Sequence, residues 1–379
     1  MELPVKKERN VGIEVFRCVT MIMIVMLHLT GQGGVLTGAY YYGSRGSYAA
    51  AYYLKTIGYC SVNCYAVISG FVNTERNFRF RKIFALWLEV VFWLLIPALV
   101  CHLFIPSVTV TKEKWLEAFF PVSNRAYWYF NGYILLFALM PILNRGLEQI
   151  SAKQHRTILY FLFGAVCFLP FIGGADAFVT SSGYSGIWLI ILYLFGAYFR
   201  LHGIPKFARS YVTIPIFFGC ATAAWALDLL RIDLNKAGKI KSADFIYKFL
   251  DRTLSYISPF MVVMAIALLC FFAQVRVKGK PVRTVLTIMG RATFGVYLFH
   301  VGDMIWVHWL KSRYVDYGKM PAFKLLLAVI GTSILLFLVW DALSVARIYL
   351  FRGIGMAFKR KKKDEPGSDQ DGSSAPQAR

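Results

Sequence analysis

Ten runs of predominantly apolar residues, each roughly 17–25 long, constrain this chain more than any other feature. Each is long enough to cross a hydrocarbon core of about 30 Å at 1.5 Å per residue. They fall at about 11–31, 48–72, 82–105, 127–143, 157–173, 186–201, 211–230, 255–275, 292–310 and 322–346. A soluble core able to hide so many runs is implausible for 379 residues. Composition agrees, with 58% hydrophobic and 16% charged residues against about 45–50% and about 25% in soluble domains. The expected fold is all-α: a polytopic membrane bundle of about ten transmembrane helices.

Net charge is +22, which in a soluble chain would suggest nucleic acid. Here the basic residues sit in short loops between apolar runs and near the C-terminal end, which suits anionic lipid headgroups. Membrane lipids, not nucleic acid, are the expected polyanionic partners. Most of the 42 Lys and Arg fall on one side if the N-terminus is cytoplasmic, and an even number of spans then puts both termini there. The outer loop 231–253 is the exception, holding six basic residues together with Asp233, Asp244 and Asp251, and an amphipathic surface helix around Phe245 and Phe249 is expected in it. Three segments follow: a cytoplasmic lead at 1–10, a membrane domain over 11–350, and a basic tail at 351–379. The tail's KRKKK run and Gly, Ser and Pro content predict disorder. The first run lacks a small-residue cleavage site and is expected to remain as the first helix. The seven cysteines lie in apolar segments or at their edges, without CxxC spacing, and read as small buried hydrophobes. No clustered ligand set suggests a metal.

Ionisable residues inside spans are the informative ones, since each costs at least about 2.5–3.5 kcal/mol at a helix centre and normally pairs or lines a cavity. The first run carries Glu14, Arg17 and His28. At about 100° per residue, Arg17 and His28 fall within about 20° of each other, with Glu14 in the same wedge. One face thus presents an acid, a cation and an imidazole, with a rise of about 16 Å from Arg17 to His28. Arg17 could instead snorkel to the inner surface beside Glu14, and His28 could simply bond a neighbouring helix.

A second cluster, Arg76, Arg79 and Arg81, stands at the cytoplasmic start of the third span. Planar guanidinium groups match phosphate oxygens, although ordinary positive-inside charge also places arginines there. The third feature is His300 in the ninth span, with Asp303 one turn on; such an acid can orient an imidazole and raise its basicity, or the pair can be structural. Glu89, His102, Asp228 and Asp341 are further in-span charges without an assigned role. Trp128, Tyr129 and Tyr133 suit an interfacial aromatic belt, with sugar stacking as the alternative.

These motifs resemble those of the membrane-bound acyltransferase-3 family. Arg17 and His28 with ten residues between them resemble its first-helix motif, although the acid there is usually Asp and this chain has Glu14. The ISGF run followed by Arg76-Asn77-Phe78-Arg79 resembles its SGF and Arg-x-x-Arg elements. GVYLFH, ending at His300, resembles its late YL-x-H element, and WYFNGYILLFALMP its fourth-helix pattern. The resemblance spans about residues 10–350. It implies a bacterial, multi-pass plasma-membrane enzyme that moves an acyl group, usually acetyl, from cytoplasmic acyl-CoA to a hydroxyl of a cell-envelope glycan or lipid-linked sugar. Acyl-CoA would be a donor substrate, with no cofactor bound permanently. His28 would be the general base or a covalent acyl carrier, with His300 either helping to activate or merely supporting it. Glu14 would hold Arg17, and Arg17, Arg76, Arg79 and Arg81 would hold the CoA end. A transporter or flippase of a small molecule or lipid-linked sugar is the alternative, with Glu14, Arg17 and His28 lining its path.

Overall fold

The computed structural model describes residues 10–74, 81–173, 176 and 178–364, with side chains described through Gly353. Every regular element in it is helical. In chain order these are α1 (Val11–Thr30), α2 (Val35–Tyr42), α3 (Arg45–Tyr59), α4 (Ser61–Asn73), α5 (Arg81–Phe104), α6 (Lys112–Phe119) and α7 (Trp128–Glu148). Then come α8 (Ala152–Leu162), a π-turn at Phe163–Phe168, α9 (Leu169–Gly173), α10 (Gly186–His202), α11 (Ser210–Lys236) and α12 (Phe245–Asp251). The chain closes with α13 (Pro259–Gln274), α14 (Lys280–Val301), α15 (Asp303–Ile305) and α16 (Ala322–Asp364). Backbone polar groups satisfied within each helix are what a hydrocarbon environment demands.

Eight helical stretches among the described residues are long and apolar enough to cross a membrane. The remaining two expected spans are built differently. The run at 48–72 is two helices, α3 and α4, meeting at Cys60, and the run at 186–201 is the 17-residue α10. The ninth span starts earlier than the apolar run, at Lys280, and stops at Gly302, whose ψ of 131° leaves the helical region. Helix α12 supplies the short helix expected near Phe245, and Phe249 packs on Phe171 with ring centroids 4.8 Å apart. The last helix runs past the expected boundary at 350 as far as Asp364. Residues 365–379 of the expected tail lie outside the described residues, as do 1–9.

Helix α1 is the centre of the bundle, packing against α3, α4, α13, α14 and α16. Within its most apolar 18-residue window 72% is buried inside the protein, against 22% for α5 and for α16, which face outward. Contacts between helices fix their directions. Asn10 donates to the Ala273 carbonyl at 2.9 Å, so α13 ends where α1 begins. Gly290 of α14 lies against Glu14, and His300 against His28, so α14 runs parallel to α1. Ser344 of α16 donates to the Ala292 carbonyl at 2.8 Å, while Trp340 reaches His300, so α16 returns antiparallel. Small residues allow the closest approach. A Cβ at Gly70 would strike the Tyr193 carbonyl oxygen, and one at Gly196 the Val67 carbonyl oxygen, locking α4 onto α10.

Candidate active site

The parallel packing of α1 and α14 brings two histidines, 272 residues apart in sequence, into direct contact: His28 Nδ1 lies 3.0 Å from His300 Nε2. His300 is fully buried and His28 half-buried. On its far side, His300 Nδ1 lies 2.7 Å from the Val296 carbonyl oxygen. A carbonyl oxygen only accepts, so Nδ1 of His300 carries the proton. In the neutral ring Nε2 is then a bare acceptor, and His28 Nδ1 must donate to it. That leaves His28 Nε2 as the lone-pair nitrogen, so a chain of two hydrogen bonds fixes which nitrogen can act as a base. The rings are held by aromatic contacts. Trp340 stacks on His300 at 5.1 Å and 8°, and Trp306 meets His28 edge-on at 4.8 Å.

His28 lines a cavity together with Tyr65, Trp128, Tyr129, Tyr256 and Tyr297. Among the described residues, no Lys, Arg, Asp or Glu lines it. A basic nitrogen beside a cavity walled by rings suits deprotonation of a hydroxyl out of bulk water, where such a nitrogen competes with few other acceptors.

The polar face expected on α1 divides in two. Glu14 and Arg17 form an ion pair at 3.1 Å, with the Glu14 side chain 2% exposed and that of Arg17 18%. Both stand outside the cavity lining, toward the N-terminal end of α1. A Cβ added at Gly290 would lie 2.5 Å from the Glu14 carboxylate, so the glycine makes room for the acid. Tyr65 connects the two regions: its ring lines the cavity and its hydroxyl donates to the Arg17 carbonyl at 2.9 Å. Arg81 is exposed at the first position of α5. Arg76 and Arg79 lie outside the described residues.

Of the two readings of Asp303, the structure does not place it on His300. Its carboxylate pairs with Lys114 of α6 at 2.6 Å, and Lys114 also pairs with Glu117 at 2.8 Å. Burial opposes the charged form of Lys114, but the hydrogen bonds it donates to Asp303 and Glu117 outweigh it and raise its pKa. The break at Gly302 turns Asp303 away from the end of α14, and Val296 orients His300 instead. Of the other in-span charges, Glu89 pairs with Arg347 at 2.5 Å. Asp228 pairs with Arg231 at 2.5 Å and accepts from the Tyr52 hydroxyl. His102 packs edge-on to Trp115, and Asp341 is buried with Oδ1 unbonded among the described residues.

Sequence reasoning missed Tyr65, Tyr256, Trp306 and Trp340 as neighbours of the histidines. An aromatic inside an apolar run carries no signal of its own, and these four come from separate segments of the chain. Trp128 and Tyr129 line the cavity, and Tyr133 stacks on Tyr129 at 6.4 Å and 13°.

Comparison with known families matches residues 10–345 to the family model described as an acyltransferase domain, acyltransferase-3. No curated protein and no solved structure matches.

Proposed function

The chain belongs to the acyltransferase-3 family, and on that premise we propose that it transfers an acyl group, acetyl in the first instance, from cytoplasmic acyl-CoA to a hydroxyl of a cell-envelope glycan or lipid-linked sugar. The observation that carries the reading is the hydrogen-bond chain Val296–His300–His28, which leaves a lone-pair nitrogen on a residue of the cavity wall. In this reading His28 Nε2 takes the proton of the acceptor hydroxyl as its oxygen attacks the thioester carbonyl carbon. A carbon–oxygen bond forms, the carbon–sulfur bond breaks, and the CoA thiolate leaves with the proton returned from His28. His300 stabilises the imidazolium that forms, accepting from its Nδ1–H throughout. Arg17, fixed by Glu14, and Arg81 with Arg76 and Arg79 are the groups proposed to hold the phosphates of CoA at the other end of α1. Family membership favours transfer over the transport alternative, and the same reading puts the protein in the plasma membrane of a bacterium.

The test is a mass comparison of cell-envelope glycans from cells with and without the protein. An acyl-sized mass difference that disappears with the protein is expected. Identical glycan masses, with no acyl-CoA consumed by the purified protein, would refute the reading.

A further inference from the structure

Against Trp128 and Tyr256, two of the rings that line the cavity of His28, packs a short segment whose backbone is strained. Val179, Ser181 and Ser182 all have left-handed backbones, with φ of 51°, 53° and 56°. Non-glycine residues adopt this region rarely, and for a β-branched residue such as Val179 it is an outlier. Conformations of this kind persist only where surrounding contacts impose them. Here Asp176 does so. Its carboxylate accepts from the Thr180 backbone N–H at 2.9 Å, the Thr180 hydroxyl at 2.8 Å and the Ser182 N–H at 3.2 Å. From the other side, Ser255 donates to the Ser182 carbonyl at 3.2 Å. Gly183, at φ 98°, lets the segment lie flush on Tyr256.

The strained segment holds Tyr184 in place. Its ring is 47% exposed, yet it packs on Trp128 at 4.7 Å and on Tyr256 at 4.8 Å. Trp128 and Tyr256 are themselves near-parallel at 6.0 Å and 22°, and both line the cavity with His28. Tyr59 extends the group, 4.8 Å from Tyr256. The rings therefore form one continuous wall from the protein surface at Tyr184 to the cavity of the candidate base. A wall of Trp and Tyr presents flat apolar faces and phenol edges, matching the C–H face and hydroxyl rim of a sugar ring. A plain aliphatic acceptor would need neither the hydroxyls nor a braced, exposed ring. With no Lys, Arg, Asp or Glu among the described residues of the cavity lining, an acidic sugar or phosphate at the reacting position would be buried without a counter-charge.

We propose that Trp128, Tyr184 and Tyr256 form the acceptor seat, that the Asp176-braced segment sets its shape, and that the sugar ring receiving the acyl group is electrically neutral. The inference rests on the transferase reading above and adds which residues recognise the acceptor and what charge it carries. Tyr184 is a binding residue, and Asp176 a positioning residue that acts through it.

The experiment measures acyl transfer by the purified full-length protein in detergent, with acetyl-CoA as donor. Acceptors are neutral polysaccharide, uronic-acid polysaccharide and a long-chain alcohol, each as a concentration series. Tyr184→Ala is expected to raise the apparent KM for the neutral polysaccharide about three- to tenfold, the value of one aromatic contact. The apparent KM for acetyl-CoA should move less than about twofold, and Tyr184→Trp should restore the acceptor value. Asp176→Ala, which leaves the rings intact, should reproduce the acceptor effect in part. Melting temperatures of the variants separate loss of the seat from loss of the fold. An unchanged acceptor KM in a folded Tyr184→Ala protein overturns the proposal, as does saturation by the alcohol or the uronic-acid polymer in preference to the neutral one. If the wild-type protein consumes no acyl-CoA with any acceptor, it is the transferase reading itself that fails.

Discussion

Replacing His300 by Phe isolates the hydrogen-bond chain from the packing around it. Phenylalanine keeps a ring against Trp340, now 5.1 Å from His300 and nearly parallel to it, but removes both nitrogens. His28 Nδ1–H then loses its acceptor at 3.0 Å and the His28 ring loses the reason to carry its proton there. Leaving a buried donor unpaired costs about 1–3 kcal/mol, and the cost falls on the tautomer that exposes Nε2 as a base. The productive form should therefore be depopulated by roughly 5- to 150-fold, with kcat lowered in proportion. His300→Gln makes the converse case. Its side-chain oxygen can accept from His28 while its amide donates to the Val296 carbonyl, so a loss within about tenfold is expected. The assay is release of CoA thiol from acetyl-CoA by the purified variants, with melting curves run alongside. Wild-type turnover in a folded His300→Phe protein would refute the tautomer argument.

Two further outcomes follow from the ion pairs. Asp303→Asn should change kcat by less than about twofold, because the carboxylate serves Lys114 at 2.6 Å and not His300; the same thiol-release assay checks it. Glu89→Ala should destabilise strongly, by about 3–5 kcal/mol, because it leaves the Arg347 guanidinium buried without its carboxylate. Thermal melting in detergent measures this, and replacing Arg347 by Met in the same protein should recover much of the loss.

The fold was legible wherever one residue property summed over a long window. Apolar runs located the helices because crossing a membrane needs about 20 such residues in succession, and the starts of α1, α5 and α10 lie within a residue of expectation. Breaks inside runs were not legible. Cys60 and Gly302 interrupt helices through local backbone geometry that average hydropathy does not register. The site was half legible. His28, His300, Glu14 and Arg17 stood out because charge and imidazole are expensive in hydrocarbon, and helical periodicity placed the Glu14–Arg17 pair correctly on one face. Periodicity on a single helix could not show that His28 meets His300, which depends on how α14 registers against α1. The same limit left the role of Asp303 open: one turn from His300 in sequence, it is carried off by the helix break and pairs with Lys114. Tyr184, Tyr256 and Trp340 were beyond reach for a different reason, since in a chain with 22 Tyr and 9 Trp no single ring is informative until its neighbours are known.

If the His28 imidazole takes the acceptor's proton, removing it in His28→Ala must slow transfer. Acetyl groups moved from acetyl-CoA to neutral polysaccharide are counted by mass for wild-type and variant proteins matched in melting temperature. A loss of about 10²–10⁴-fold is expected in the variant. Transfer at the wild-type rate without that ring would contradict that role for His28.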